Sequence, residues 1–196
     1  MPRKPKLKLM VCSTVHGFEA EITTICGILK AYGYSVMNSH YGTIRSRPGQ
    51  STEEACLEAV EQCDLVFAII RTRFGSGITE KEICRAIELG RPIWCVADHE
   101  IGLYRQLLKQ FLYEYDPVSK LPIARKLIEF RKTSVLESLR VIDLYNFYIQ
   151  DHLPVDQRRN NWAQPYHDLD EILRYLEANL KDIAEVRKGI KTKSTS

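Results

Sequence analysis

The stretch "DLVFAIIRTRFGSGITEKEICRAIELGRPIWCVAD", residues 64–98, sets two apolar runs on either side of a charged, helix-forming segment. The first run is nearly continuous, which is typical of a central parallel strand covered on both faces. Gly90 ends the intervening helix and Pro92 opens the second run. The pattern predicts a β-α-β unit with two parallel strands.

The same alternation precedes this unit. Leu7–Ser13 and Tyr34–Ser39 have the apolar character of strands, and a segment with helical spacing lies between them. Ser51 and Glu54 form a capping-box pattern at the start of a helix that runs to about Gln62. We therefore expect an α/β fold, a doubly wound parallel sheet with the flavodoxin-like strand order 2-1-3-4.

The pattern changes after Asp98, and we expect an α/β domain over residues 1–116. A C-terminal helical extension over residues 117–190 would pack on this domain or on a partner subunit. Part of residues 122–152 could supply a fifth strand, although that segment is mostly helical in pattern. Residues 191–196 are predicted to be a disordered tail.

Two further segments complete the prediction for the extension. Residues 153–166 are predicted to be a polar connector, and residues 168–190 have one apolar stripe, as in an amphipathic helix. That stripe could serve as a dimer surface, so a homo-oligomer is expected.

Composition is that of a soluble globular protein, with 44% hydrophobic and 27% charged residues in a chain of 196. No apolar run approaches the roughly 18 residues of a membrane span, and we find no secretory signal, so a cytoplasmic protein without membrane contact is expected. The cysteines lack metal-binding spacing, so no metal site and reduced, mostly buried thiols are expected. They are Cys12, Cys26, Cys56, Cys63, Cys84 and Cys95.

Positive charge is concentrated at the two ends of the chain, while the net charge is only +3. Such clusters are usually solvated tails, and there is no aromatic RNA-binding set or continuous basic helix, so nucleic-acid binding is not expected. The basic residues are Arg3, Lys4, Lys6, Lys8, Arg187, Lys188, Lys191 and Lys193.

A ligand site is expected between strands one and three, because ligands of open parallel sheets bind at the carboxyl edge where strand order reverses. Ser13 and Thr14 offer hydroxyl groups there, Arg71 and Arg73 offer charge, and Gly75 allows close approach of the backbone. The dinucleotide and Walker phosphate motifs are both absent, and the glycines could equally form a tight βα turn.

Three segments together resemble the TIR-like domains. They are "LMVCST" with Gly17 and an acid-bearing helix, "STEEACLEAVEQCDLVFAIIRTRFGS", and "TEKEICRAIELGRPIWCVAD". The resemblance covers roughly residues 7–98. Its last part is also similar to nucleoside deoxyribosyltransferases and TIR NADases, which place a glutamate four residues before an alanine in this helix. Here these residues are Glu82 and Ala86.

The resemblance implies that Glu82 is the catalytic acid of N-glycosidic bond cleavage. A carboxylate beside the ribose can stabilise an oxocarbenium-like centre or form a covalent ribosyl intermediate. Glu80 is a weaker candidate, offset from the motif. The alternative for Glu82 is structural, because it stands at the capping-box position relative to Thr79.

The expected function is therefore a TIR-like nucleotide or nucleoside N-glycosidase that cleaves NAD, in a bacterial antiviral defence setting. NAD or another nucleotide would be the substrate or ligand, without a further cofactor. Phosphate or ribose would contact Ser13, Thr14, Arg73, Gly75 and Ser76, and a base would stack on Tyr41 or Phe74. The alternative is a non-catalytic module that senses a nucleotide or assembles with itself.

Overall fold

The computed structural model describes residues 5–158 and 161–193, and its centre is a sheet of five parallel strands. In sheet order the strands are β2 (Ser35–Met37), β1 (Lys8–Ser13), β3 (Leu65–Ile70), β4 (Ile93–Asp98) and β7 (Ala163–Tyr166). The predicted doubly wound sheet and its order 2-1-3-4 are confirmed. Arg3 and Lys4, named above for their charge, and the end of the predicted tail from residue 194 lie outside the described residues.

Helices cover both faces of the sheet. They are α1 (Glu19–Tyr32), α2 (Thr52–Gln62), α3 (Ile78–Glu88), α4 (His99–Leu112), α5 (Arg140–Tyr148), α6 (Leu169–Leu180) and α7 (Ile183–Lys193). Helices α1, α6 and α7 pack on one face, and α2, α3, α4 and α5 pack on the other. All six residues of β3 are buried, since alternate side chains enter the two apolar layers.

The fifth strand comes from the segment predicted to be a polar connector, not from residues 122–152. Strand β7 pairs with β4 at the edge of the sheet. Ala163 and Tyr166 are its two buried residues, and four residues give too short an apolar pattern for recognition from sequence. Pro165 is tolerated because an edge strand has one side without ladder hydrogen bonds.

Residues 113–139 are largely not helical, which corrects the prediction for that part of the chain. Strands β5 (Tyr113–Tyr115) and β6 (Pro122–Arg125) form an antiparallel hairpin. Residues 126–139 contain neither helix nor strand, and helix begins again at Arg140. In this irregular segment, which we call the strap, the Glu137 carboxylate accepts two hydrogen bonds from the loop after β3 and the Glu137 backbone N–H donates one to it.

The first described residue, Pro5, lies beside α7. Arg187 in α7 donates a hydrogen bond of 2.7 Å to the Pro5 carbonyl oxygen. Helix α7 continues to Lys193, beyond the predicted start of the tail at residue 191. All six cysteines are free thiols, as predicted, and five of them are buried. Within residues 5–158 and 161–193, no helix combines the length and apolar character needed to cross a membrane.

Candidate functional site

The loops after β1 and β3 meet at the predicted crevice. Thr14 donates a hydrogen bond of 3.3 Å from its hydroxyl group to the Phe74 carbonyl oxygen. Gly75 has a φ of +63°, and a Cβ atom at this position would lie 2.9 Å from Cγ2 of Thr14. Glycine is therefore required here both for its backbone conformation and for the close approach of the two loops. The structure brings Thr14, Phe74 and Gly75 together, as the sequence predicts.

Arg71 is the residue that holds the loop after β1 in place. Its guanidinium group donates to the carbonyl oxygens of Thr14 (3.0 Å), His16 (2.9 Å) and Gly17 (3.2 Å). It also lies over the ring of Phe18, 4.4 Å from the ring centroid. From the sequence, we expected the charge of Arg71 to contact a ligand. In the structure, its guanidinium group forms hydrogen bonds within the chain instead.

Other predicted binding residues are distributed differently. Arg73 and Ser76 are exposed on the loop after β3. Ser13 is buried and donates a hydrogen bond of 3.3 Å to the Thr14 carbonyl oxygen, and strand alternation turns its side chain toward the face covered by α1. Tyr41 packs against the apolar layer on that same face. The structure therefore does not bring Ser13 and Tyr41 to the Thr14–Phe74 contact.

The crevice is nearly filled in this conformation. A cavity of about 10 Å³ remains, lined by Thr14, Arg71, Arg73, Phe74, Thr79, Glu80 and two residues of α5. Such a volume holds at most one water molecule, so a nucleotide can enter only if the surrounding loops move. Glu80, the weaker acid candidate, forms an ion pair with Arg140 at the start of α5.

Glu82 lies inside α3, which corrects the capping-box alternative. The helix begins at Ile78, and its N-cap is Gly77, with a φ of +79° and no side-chain cap. Thr79 is thus already in the first turn and cannot act as the cap. Glu82 follows one turn later and does not line the cavity that Thr79 lines.

The carboxyl group of Glu82 is enclosed by thiols. Its residue is 4% exposed, and the thiols of Cys56, in α2, and Cys12, in β1, lie beside it. Burial raises the pKa of Glu82 from 4.5 to about 7, while the two neighbouring thiols oppose that shift. Ser39, just after β2, lies beside Cys56, so Cys56 separates the loop after β2 from Glu82.

Asn38 is a site residue that sequence reasoning missed. Its amide donates to the Val11 carbonyl oxygen (2.9 Å) and accepts from the Tyr41 backbone N–H (2.9 Å), so it ties the loop after β2 to β1. Among the described residues, the buried polar or charged ones are Ser13, Asn38 and Glu82. All three lie around the carboxyl ends of β1 and β2. A polar residue directly after the short run "SVM" was the available signal.

A second cleft, of about 500 Å³, lies between α3, the β5–β6 hairpin and α5. Asp143 occupies its polar side and pairs with Arg125 and Tyr113, so these groups are already satisfied within the chain. No group of three or more His, Cys, Asp or Glu side chains in the described parts of the chain is arranged to hold a metal ion. Among the described residues, Glu82 is the buried acid, and it lies next to Cys12 near the carboxyl end of β1.

The comparisons with known proteins give a family but no activity. No curated protein matches the chain. The family model for the domain of unknown function DUF4062 matches residues 8–136, which is more than half of the chain and includes β1 to β4, α1 to α4, the hairpin and most of the strap. The chain therefore belongs to the DUF4062 family.

Proposed function

We propose that this protein is a nucleotide or nucleoside N-glycosidase, with NAD as the first candidate substrate and Glu82 as the catalytic carboxyl group. One observation carries the proposal. Within the described chain, Glu82 is the buried acid, and it lies at the carboxyl end of β1, beside the position where strand order reverses. The resemblance to TIR NADases and nucleoside deoxyribosyltransferases, which led to the same residue, supports this role.

The chemistry suits a carboxyl group with a pKa near 7. Cleavage of the bond between C1′ and the base leaves positive charge on the ribose, which an ionised Glu82 would stabilise or capture covalently. In its protonated form the same group could donate a proton to a leaving base. A perturbed pKa at the carboxyl edge of a parallel sheet is typical of functional groups.

Substrate access requires movement. Glu82 is 4% exposed and the crevice retains about 10 Å³, so the described conformation is closed. The loop after β2 is the nearest cover, since Ser39 contacts Cys56 and Cys56 contacts Glu82. Displacement of this loop would expose the carboxyl group of Glu82.

The test is release of free base by the purified full chain. NAD, NADP and a set of ribo- and deoxyribonucleosides would be incubated with wild type and with Glu82→Gln, and nicotinamide or base measured by chromatography. We expect release by wild type and a loss of at least about 100-fold in Glu82→Gln. Glu88→Gln is the matched control, because it makes the same charge change at an exposed position of the same helix. Absence of release from every substrate, or full turnover by Glu82→Gln, contradicts the proposal.

The resemblance to TIR-like domains also supports a second candidate function, a module that binds a nucleotide without cleaving it and assembles with itself. In that case NAD would bind and be recovered intact, and sedimentation would show a larger particle with NAD than without it. The bacterial antiviral setting rests on the resemblance to TIR-like domains alone and stays a prediction, as do the cytoplasmic location and the homo-oligomer.

A further inference from the structure

The strap places a carboxylate on two backbone amides of the loop after β3. Oε2 of Glu137 accepts hydrogen bonds from the backbone N–H groups of Phe74 (2.7 Å) and Gly75 (2.9 Å). The Glu137 N–H in turn donates to the Thr72 carbonyl oxygen (3.2 Å), so the strap and the loop run side by side. One oxygen atom thus satisfies two amides that lie before the first residue of α3.

The surroundings of this oxygen favour negative charge. The amides of Gly75 and Phe74 lower the pKa of Glu137, and the positive charges of Arg73 and Lys132 lower it further. Hydrogen bonds from N–H groups to an ionised acceptor are stronger than those between neutral groups. Two convergent amides with two nearby cations are also what a phosphate group requires.

The loop after β3 is also held in place by contacts that do not involve the Glu137 carboxylate. It is anchored to the loop after β1 by the Thr14 hydroxyl group and is positioned by Gly75 at a φ of +63°. On the other side of this loop, Arg140 lies 4.6 Å from the centroid of the Phe74 ring and pairs with Glu80.

The strap is itself fixed by Leu136 and Leu139, which are both buried. Glu137 is therefore held over the amides by anchors on either side.

We propose that the amides of Phe74 and Gly75, with Arg73 and Lys132, form a phosphate subsite for the nucleotide, and that Glu137 occupies it as an internal competitor. This inference rests on the proposed function for the identity of the ligand, because it deepens the same site. Because the Glu137 carboxylate is tethered next to the amides of Phe74 and Gly75, its effective concentration there is high. It therefore lowers the apparent affinity of these amides for a free phosphate group. Removing the Glu137 charge weakens this competition, while the buried Leu136 and Leu139 still hold the strap.

The experiment is a titration of the ¹⁵N-labelled full chain with inorganic pyrophosphate, followed by amide chemical shifts. In wild type we expect small shifts at Phe74 and Gly75. In Glu137→Gln and Glu137→Ala the same amides should shift at lower ligand concentration, with a Kd at least about tenfold lower than in wild type. Glu129→Gln is the matched control, because it removes the same charge from an exposed position of the strap, and its Kd should equal that of wild type.

Equal affinities in wild type and both Glu137 variants would overturn the inference, and so would shifts that map to other amides. If both Glu137 variants unfold, which loss of chemical-shift dispersion would show, Arg73→Gln provides the test. Weaker pyrophosphate binding by Arg73→Gln than by wild type supports the subsite, and unchanged binding overturns it. NAD is titrated in the Glu82→Gln background, where the nucleotide stays intact. Shifts at the same two amides support a nucleotide subsite, and shifts with pyrophosphate alone refute the nucleotide assignment.

Failure of this inference is distinguishable from failure of the proposed function, because the titration needs no turnover. If the Glu137 variants gain affinity but no base is ever released, the glycosidase proposal falls and the anion subsite stands. If turnover depends on Glu82 and neither Glu137 variant gains affinity, the glycosidase stands and the subsite falls.

Discussion

The Cys56 thiol lies beside the Glu82 carboxyl group inside the helical layer that covers one face of the sheet. Cys12 approaches the same carboxyl group from β1. Thiols are weak hydrogen-bond donors, so they replace only part of the solvation that water would give to a carboxylate. The charged form of Glu82 is therefore disfavoured, and burial raises its pKa to about 7.

Glu82→Gln is expected to stabilise the protein at alkaline pH. The folded state holds the Glu82 proton up to a pKa of about 7, whereas the unfolded chain releases it near 4.5. The free energy of unfolding of wild type should therefore fall as pH rises from 4.5 to 7, by up to about 3 kcal/mol from this group. Urea unfolding at pH 5 and pH 8 should show a smaller fall in Glu82→Gln, and Glu88→Gln should behave as wild type. Identical pH slopes in Glu82→Gln and wild type would contradict the burial of this group.

Gly75→Ala is expected to destabilise the protein by more than the backbone strain of its positive φ alone would. Alanine at a φ of +63° costs about 1 kcal/mol, and its Cβ atom would also meet Cγ2 of Thr14 at 2.9 Å. Gly42→Ala is the control, since Gly42 has a φ of +68° and no heavy atom near its added Cβ. Adding Thr14→Ser to Gly75→Ala removes the Cγ2 methyl group but keeps the hydroxyl group, so it should recover the difference between the two glycine variants in chemical denaturation. No recovery would argue against this contact.

Arg71→Lys is expected to loosen the loop after β1. Lysine has a compact ammonium group that cannot reach the three carbonyl oxygens with the geometry of a guanidinium group. We expect a loss of about 1–2 kcal/mol in unfolding free energy and faster hydrogen exchange at the Phe18 amide, which donates to the Val15 carbonyl oxygen. Arg73→Lys, at an exposed position of the loop after β3, should leave the unfolding free energy and the exchange rate at Phe18 unchanged. Equal exchange rates at Phe18 in Arg71→Lys and wild type would rule out this role for Arg71.

Ser51→Ala should shorten or weaken α2. The Ser51 hydroxyl group accepts from the Glu54 backbone N–H (3.1 Å), and the Glu54 carboxylate accepts from the Ser51 backbone N–H (2.9 Å). Loss of this capping box costs about 1 kcal/mol, which thermal unfolding can detect. Ser46→Ala, at an exposed position in the preceding loop, should change the melting temperature little. A Ser51→Ala variant as stable as Ser46→Ala would show that the cap contributes nothing.

Local patterns were sufficient for much of the molecule. The apolar run Leu65–Ile70 predicted a central strand because both of its faces are covered, and the Ser51 capping box was recognisable because it depends on residues three apart. The Thr79 capping box was wrong because Gly77, in the left-handed conformation, starts α3 two residues earlier. Strand β7 was missed because its register is set by pairing with β4 rather than by its own four residues.

The sequence by itself determined the parallel sheet, the order of its first four strands and the burial of most cysteines, since each depends on periodicity or spacing along the chain. The candidacy of Glu82 came from the resemblance to TIR NADases and nucleoside deoxyribosyltransferases. Only the tertiary structure decided what surrounds those residues. It placed Glu82 between two thiols, used Arg71 to hold a loop, and set Glu137 on the amides of Phe74 and Gly75, 63 and 62 positions away in the chain. These contacts join segments that are distant in sequence, and no local pattern encodes which side chain will fill the space that packing leaves.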